Sequence, residues 1–87
     1  MKVHEFERLV TKLNLKVRDS RDRIAWFEYD GRVITRTKRS HGKGFDLPAD
    51  LIRKQLKVSG KEMAGLIQCS LTLSDYVAIL RNKKLLE

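Results

Sequence analysis

Residues 24–37 read IAWFEYDGRVITRT, the part of the chain with the strongest structural signal. Its two halves, residues 24–29 and 32–37, are rich in the β-branched and aromatic residues that favour strands. Asp30 and Gly31 separate them, and both residue types tolerate the positive φ that a type I′ turn needs. The stretch therefore predicts a β-hairpin.

A two-residue turn also fixes the register of the hairpin. It pairs Tyr29 with Arg32, Phe27 with Ile34, Ala25 with Arg36, and Arg23 with Lys38, and these side chains share one face of the sheet. The other face carries Ile24, Trp26, Glu28, Val33, Thr35 and Thr37. The pattern leaves open which face the helices cover. Trp26 or Tyr29 could stack exposed bases if either ring faces outward, but in so small a domain we expect Trp26 in the core.

The chain before the hairpin predicts a helix and a short strand. Apolar residues at Phe6, Leu9, Val10 and Leu13 follow helical spacing and indicate a helix over residues 3–13. Asn14 suits the end of that helix, and residues 15–18 are predicted to form the first strand.

The chain after the hairpin predicts three helices. Pro48 suits the first helical position, with Leu51, Ile52 and Leu56 as the apolar stripe. Ser59 and Glu62 have the spacing of a capping box, before a helix that buries Met63, Leu66 and Ile67. Ser74 is predicted to cap a last helix that carries Val77 and Leu80.

The order of these elements predicts an α+β fold, with a small three-stranded antiparallel sheet backed by helices. The arrangement α-β-β-β-α is like that of double-stranded-RNA-binding domains, with extra C-terminal helices. Eighty-seven residues suffice for one domain, so we expect residues 1–87 to form a single one.

The composition favours a polyanionic partner. The 19 Lys and Arg residues outnumber the 11 Asp and Glu residues, for a net charge of +8, which makes nucleic acid the first partner to consider. We expect no membrane span or signal peptide, because apolar runs such as residues 77–80 are short. The single Cys69 fits a reducing cytoplasm. Two histidines and one cysteine, widely separated, predict no metal or other cofactor.

Positive charge is concentrated in residues 32–43, which carry five cations and no carboxylate. Arg32, Arg36 and Lys38 are predicted to lie along one strand face at multiples of about 7 Å, close to the spacing of phosphates in a nucleic-acid strand. With Arg21, Arg23 and Arg39, they would contact about six phosphates. The alternative is that these cations only keep the strand solvated and block edge pairing.

The loop after the hairpin adds two features. Gly42 and Gly44 flank Lys43, so that successive amides could converge on an anion near a helix start. His41 is the one titratable group in this segment suited to proton transfer at neutral pH. We therefore predict His41 and Lys43 as nucleic-acid-binding residues, and His41 as the candidate catalytic residue.

Several short motifs, taken in order, resemble the HicA family of mRNA interferase toxins. They are Asp30-Gly31-Arg32, the strand at 33–37, the turn at 41–44, Asp46-Leu47, and Ile52-Arg53 with Leu56. The resemblance covers residues 1–68 as a HicA-like core and leaves residues 69–87 as a C-terminal helical extension. It implies the double-stranded-RNA-binding fold, an RNA substrate and a HicB-type antitoxin as partner.

One position departs from the family. Where HicA proteins carry the histidine on which RNA cleavage depends, this chain has Arg23, which cannot act as a base. If the chain is a metal-independent endoribonuclease, we expect His41 to act, with Arg23, Arg36 and Lys38 holding the phosphate.

Two further hypotheses stay open beside the HicA-like toxin. One is a non-catalytic module that binds RNA or DNA. The other is a protein-interaction domain whose basic face meets an acidic partner, with residues 75–86 as a homodimer contact.

Overall fold

The computed structural model describes residues 1–40, 46–68 and 70–86. Within these ranges the elements are α1 (Val3–Lys12), β1 (Lys16–Asp19), β2 (Asp22–Tyr29), β3 (Arg32–Ser40), α2 (Ala49–Leu56), α3 (Gly60–Ile67) and α4 (Leu73–Asn82). The strands form one antiparallel sheet in the order β1-β2-β3. The predicted α+β fold is confirmed. In the described part of the chain, every helix is too short to cross a bilayer.

The hairpin turn has the predicted geometry. Asp30 and Gly31 have φ values of 53° and 79°, positive at both positions as a type I′ turn requires. Tyr29 pairs with Arg32, as predicted. At Gly31 a side chain would be strained by the backbone conformation, although no atom stands within 4 Å of the place its Cβ would occupy.

The register of the hairpin differs from the prediction further along. A β-bulge follows the pairing of Glu28 with Val33, and it leaves Ile34 without a partner on β2. Beyond the bulge Phe27 pairs with Thr35, Ala25 with Thr37, and Arg23 with Arg39. The predicted pairs Phe27–Ile34, Ala25–Arg36 and Arg23–Lys38 are therefore wrong.

The bulge has a physical reason. Ala25 and Phe27 are buried, so the regular register would have turned Arg36 and Lys38 toward the same buried face. Burying two cations without partners costs far more than burying two hydroxyl groups that are hydrogen-bonded. The extra residue instead turns Thr35 and Thr37 inward, where both are almost fully buried.

The core lies between this face of the sheet and the helices. Its members include Phe6, Leu9 and Leu13 near the N-terminus, Ile52, Leu56, Met63 and Leu66 from α2 and α3, and Tyr76, Leu80 and Leu86 from the C-terminal segment. Trp26 is only partly buried and is not a member, so the expectation that it lies in the core is wrong. Phe27, the next residue on β2, is the one that lies in the core.

The helix ends follow local sequence signals. The predicted capping box is confirmed, because Ser59 Oγ accepts from the Glu62 amide at 3.1 Å and Glu62 Oε1 accepts from the Ser59 amide at 2.7 Å. The predicted cap of the last helix, Ser74, is wrong by two residues. The N-cap is Thr72, which forms a capping box with Asp75, and the helix begins at Leu73. Asn14 follows α1 with a φ of 51°.

The C-terminal segment belongs to the same core as the rest of the chain. The Tyr76 ring meets the Phe27 ring edge to face, with centroids 5.0 Å apart. Its hydroxyl donates to the Leu56 carbonyl at 2.9 Å and lies 2.8 Å from Thr35 Oγ1. One side chain of α4 thus connects the sheet to the last residue of α2.

Candidate nucleic-acid interface

The sheet has one face that no described helix covers. We call it the open face, and it carries Lys16, Arg18, Asp22, Ile24, Trp26, Glu28, Val33, Arg36 and Lys38, none of which is buried. Four of these residues are cations and two are carboxylates. The open face is therefore net positive, with an aromatic ring near its centre.

The cations stand on both sides of the central strand. Trp26 pairs with Lys16 on β1 and with Arg36 on β3. Ile24, two residues away, pairs with Arg18 on β1 and with Lys38 on β3. Because neighbouring strands lie about 4.8 Å apart and residues i and i+2 about 7 Å apart, the four cations surround Trp26 and Ile24.

The two lysines of the open face have carboxylate partners. Lys16 Nζ lies 3.0 Å from Glu28 Oε1, and Lys38 Nζ lies 3.7 Å from Asp22 Oδ2. The hydrogen bond from Lys16 is the largest cause that holds the pKa of the Glu28 carboxyl below its ordinary value. Glu28 is therefore ionised at neutral pH and offsets the charge of Lys16.

The two arginines of the open face have no such partners. Within residues 1–40, 46–68 and 70–86, neither Arg18 nor Arg36 forms an ion pair or a side-chain hydrogen bond. Both line a shallow depression of about 270 Å³, together with Ile24, Trp26 and Val33. Their guanidinium groups are available to an anion that approaches the ring.

Two other predicted binding residues point to the helical side instead. Arg23 donates to both Glu7 oxygens, at 2.9 and 3.1 Å, and to Asp19 at 2.9 Å. Arg39 donates to Glu7 Oε2 at 3.1 Å and lies over the Phe6 ring. Glu7 is on α1, so it holds both guanidinium groups against the helix layer.

The hydrogen bond with Glu7 is also the main reason that the pKa of Arg23 lies above its ordinary value. Arg23 therefore stays protonated and serves as a structural link between α1 and the sheet. We leave Arg23 and Arg39 out of the candidate interface, because a phosphate would have to compete with two carboxylates for them.

The predicted row of Arg32, Arg36 and Lys38 on one face is wrong. Arg32 stays opposite Tyr29, beside Ile34, Leu85 and Leu86, whereas the bulge moves Arg36 and Lys38 to the open face. Arg21 is exposed in the turn between β1 and β2. It is at the same end of the sheet as Ser40, which pairs with Asp22.

The remaining predictions fall on residues outside the described ranges. They concern His41 as the catalytic residue, Lys43 as a nucleic-acid-binding residue, and the Gly42 and Gly44 anion site. Cys69 also lies outside the described ranges. The chain enters the first of these segments from Ser40, at the end of the sheet that also carries Arg21 and Lys38.

Sequence reasoning missed Lys16 and Arg18 as binding residues, and it expected Trp26 in the core rather than on the open face. A signal for the first two was present, because Lys16 and Arg18 alternate along β1 as Arg36 and Lys38 do along β3. Trp26 and Arg36 meet only because of the bulge, which the alternation of residues does not reveal.

The open face can bind an anion, but its described residues offer little for catalysis. Its ionisable groups are four cations and two paired carboxylates, and neither carboxylate is placed beside a second acid or base. Across the described ranges, no three His, Cys, Asp or Glu side chains cluster as metal ligands would. The arrangement therefore suits recognition of a polyanion.

No family model matches the chain, and searches of curated proteins and of solved structures find no significant match. The resemblance to HicA stays a prediction from the order of short motifs.

Proposed function

We propose that this protein binds RNA through the open face of its sheet. The observation that carries the proposal is the pair of unpartnered guanidinium groups, Arg18 and Arg36, which stand on opposite sides of Trp26. Arginine binds phosphate in a bidentate manner. Cations beside an exposed aromatic ring are the combination that proteins use to hold the backbone and the bases of a nucleic-acid strand.

The net charge of +8 supports the same partner, because it attracts polyanions from a distance. The choice of RNA over DNA rests on the resemblance to HicA. The cytoplasm is the location that this proposal implies, since messenger RNA is found there in bacteria and archaea.

A salt titration with the Arg36→Ala variant tests the proposal. With two to four phosphate contacts from Arg18, Arg36, Lys16 and Lys38, the logarithm of the binding constant should fall against the logarithm of salt with a slope of roughly −1.5 to −3. Removing Arg36 should make that slope shallower by about one and weaken binding. Filter binding or fluorescence anisotropy with a labelled RNA measures both quantities.

The matched control for Arg36→Ala is Lys61→Ala. Lys61 is exposed on α3, in the helical layer, so this variant lowers the net charge by the same amount without touching the open face. If the two variants change the slope equally, only the overall charge matters and the open face is not the interface.

We further propose, from the resemblance, that RNA binding makes the protein a toxin that a HicB-type antitoxin neutralises. Cleavage is tested with end-labelled RNA in the presence of EDTA, with the parent protein and His41→Ala. Fragments that disappear in His41→Ala indicate a metal-independent endoribonuclease that uses His41. Intact RNA in the parent sample, at concentrations where binding is complete, means that the protein acts by binding alone.

A further inference from the structure

We propose that Trp26 is a platform on which one unpaired base stacks, so that the open face selects single-stranded RNA over duplex RNA. This inference rests on the proposed function and names the form of the nucleic acid that the same surface takes. The position of the Trp26 ring, the hydrogen bond that holds it and the arginines around it support this inference.

The ring stands on the central strand of an uncovered sheet. Trp26 is partly exposed and lines the depression on the open face with Arg18, Ile24, Val33 and Arg36. The depression holds about 270 Å³, less than the roughly 300–1,000 Å³ of pockets that enclose a drug-sized molecule. Its size suits a single planar ring system that enters from the solvent.

The polar edge of the indole is already occupied. Trp26 Nε1 donates to Glu28 Oε2 at 3.3 Å, and the other oxygen of Glu28 accepts from Lys16 Nζ at 3.0 Å. These two bonds fix the side chain from one edge and satisfy its only donor. What the ring offers to a ligand is therefore its apolar surface, and stacking is the contact that such a surface makes with a base.

Stacking on a side chain requires a base whose faces are not already covered. In a duplex, each base is stacked between its neighbours and paired at its edge, so proteins read duplex RNA mainly by shape and backbone. In a single strand, a base can turn onto Trp26 while its flanking phosphates reach Arg36 on one side and Arg18 on the other. The positions of these three residues thus favour an unpaired strand.

A protein partner is the competing occupant, since Trp and Arg are also common in protein interfaces. The open face has more cations than carboxylates, and the two of its charged groups that have no partner among the described residues are both guanidinium groups. This charge distribution favours a polyanion over a protein partner.

The test uses the intrinsic fluorescence of Trp26, which is the only tryptophan in the chain. The full-length protein is titrated at one low salt concentration with an unstructured RNA oligonucleotide, and separately with the same strand annealed to its complement. We expect the single strand to bind more tightly and to quench the fluorescence, because a stacked base is in direct contact with the indole.

Two variants separate stacking from a merely structural role of Trp26. Trp26→Leu should lose roughly 5- to 150-fold in affinity for the single strand, the range measured when one stacking residue is removed. Trp26→Phe keeps an aromatic surface, so its loss should be clearly smaller. Circular dichroism of both variants should match the parent, because the position lies outside the core.

The outcomes distinguish this inference from the function on which it rests. If the single strand and the duplex bind equally, and Trp26→Leu binds as the parent does, then stacking is refuted while RNA binding stands. If neither RNA binds at low salt, both proposals fail. If Trp26→Leu instead changes the oligomeric state seen by light scattering, the open face is a protein interface and the inference is overturned.

Discussion

A chain that ends at Ser70 is expected not to fold. The truncation removes Tyr76, Leu80 and Leu86, which are all buried in the one core that also contains Phe6 and Leu66. Losing a single large core side chain costs about 2–5 kcal/mol, and a small domain is stable by only about 5–15 kcal/mol. Removing three such side chains together costs about 6–15 kcal/mol, which is as large as the whole stability of a small domain.

The measurement is far-UV circular dichroism with thermal unfolding of the full-length and truncated chains. A matched pair of full-length variants separates core packing from chain length. Leu80→Ala, at a fully buried position, should cost about 2–5 kcal/mol, whereas Leu85→Ala, at a position that is 41% exposed, should cost much less. A truncated chain that unfolds cooperatively near the parent temperature would show that α4 is an appendage.

The expected unfolding of the truncated chain limits how the homodimer hypothesis can be tested. A dimer contact through residues 75–86 cannot be tested by deleting them, because the deletion removes half-buried and buried core residues at the same time. Light scattering on the full-length chain, compared with variants at its exposed positions, tests the oligomeric state without that complication.

Local signals in the sequence determine much of this fold. Asp30 and Gly31 have the turn conformation that their residue types favour, and Ser59 with Glu62 form the capping box that their spacing indicates. Both features involve residues at most three positions apart, so the interactions that stabilise them are visible in a short window of sequence.

Tertiary interactions account for what the sequence did not reveal. The bulge at Ile34 arises because the face of Ala25 and Phe27 is covered by helices, and alternation within the hairpin cannot say which face that is. Thr35 can be buried because Tyr76, 41 residues later, is within hydrogen-bonding distance of its hydroxyl. Neither fact lies within a local pattern.

Tertiary contacts also determine which residues belong to the candidate interface. Arg23 and Arg39 look like binding residues in a basic segment, but Glu7 on α1 is bonded to both. Trp26 looks like a core residue by size, yet Phe27, the next residue on β2, faces the helices and Tyr76, so Trp26 faces the other side of the sheet. The uncovered position of Trp26 follows from how the helices pack, which composition alone does not show.

Replacing Tyr76 by Phe should destabilise the protein by about 2–4 kcal/mol. The Tyr76 hydroxyl donates to the Leu56 carbonyl, at the end of α2, and is bonded to Thr35 Oγ1. Phenylalanine keeps the ring that contacts Phe27 but leaves two buried polar groups without partners. Chemical denaturation at neutral pH measures the loss. Tyr29→Phe is the control, because the Tyr29 hydroxyl accepts a hydrogen bond from Arg81, at 3.3 Å, that is exposed to solvent.

The stability of the parent protein should also depend on Tyr76 at alkaline pH. Burial raises the pKa of Tyr76 from 10.0 to about 12, so the folded state holds this proton more tightly than the unfolded chain does. The contribution of the neutral hydroxyl is therefore fully present below pH 10 and is lost as the pH rises toward about 12. A pKa shift of this size corresponds to about 3 kcal/mol of unfolding free energy.

The Tyr76→Phe variant has no ionisable hydroxyl at this position. Comparing it with the parent therefore separates the titration of Tyr76 from that of every other group. The difference in unfolding free energy between the parent and the variant should be constant below pH 10 and should shrink between pH 10 and about 12. A difference that stays constant across this interval would mean that water reaches the Tyr76 hydroxyl in the folded state. The contact between α4, the sheet and the end of α2 would then be looser than the buried hydrogen bonds require.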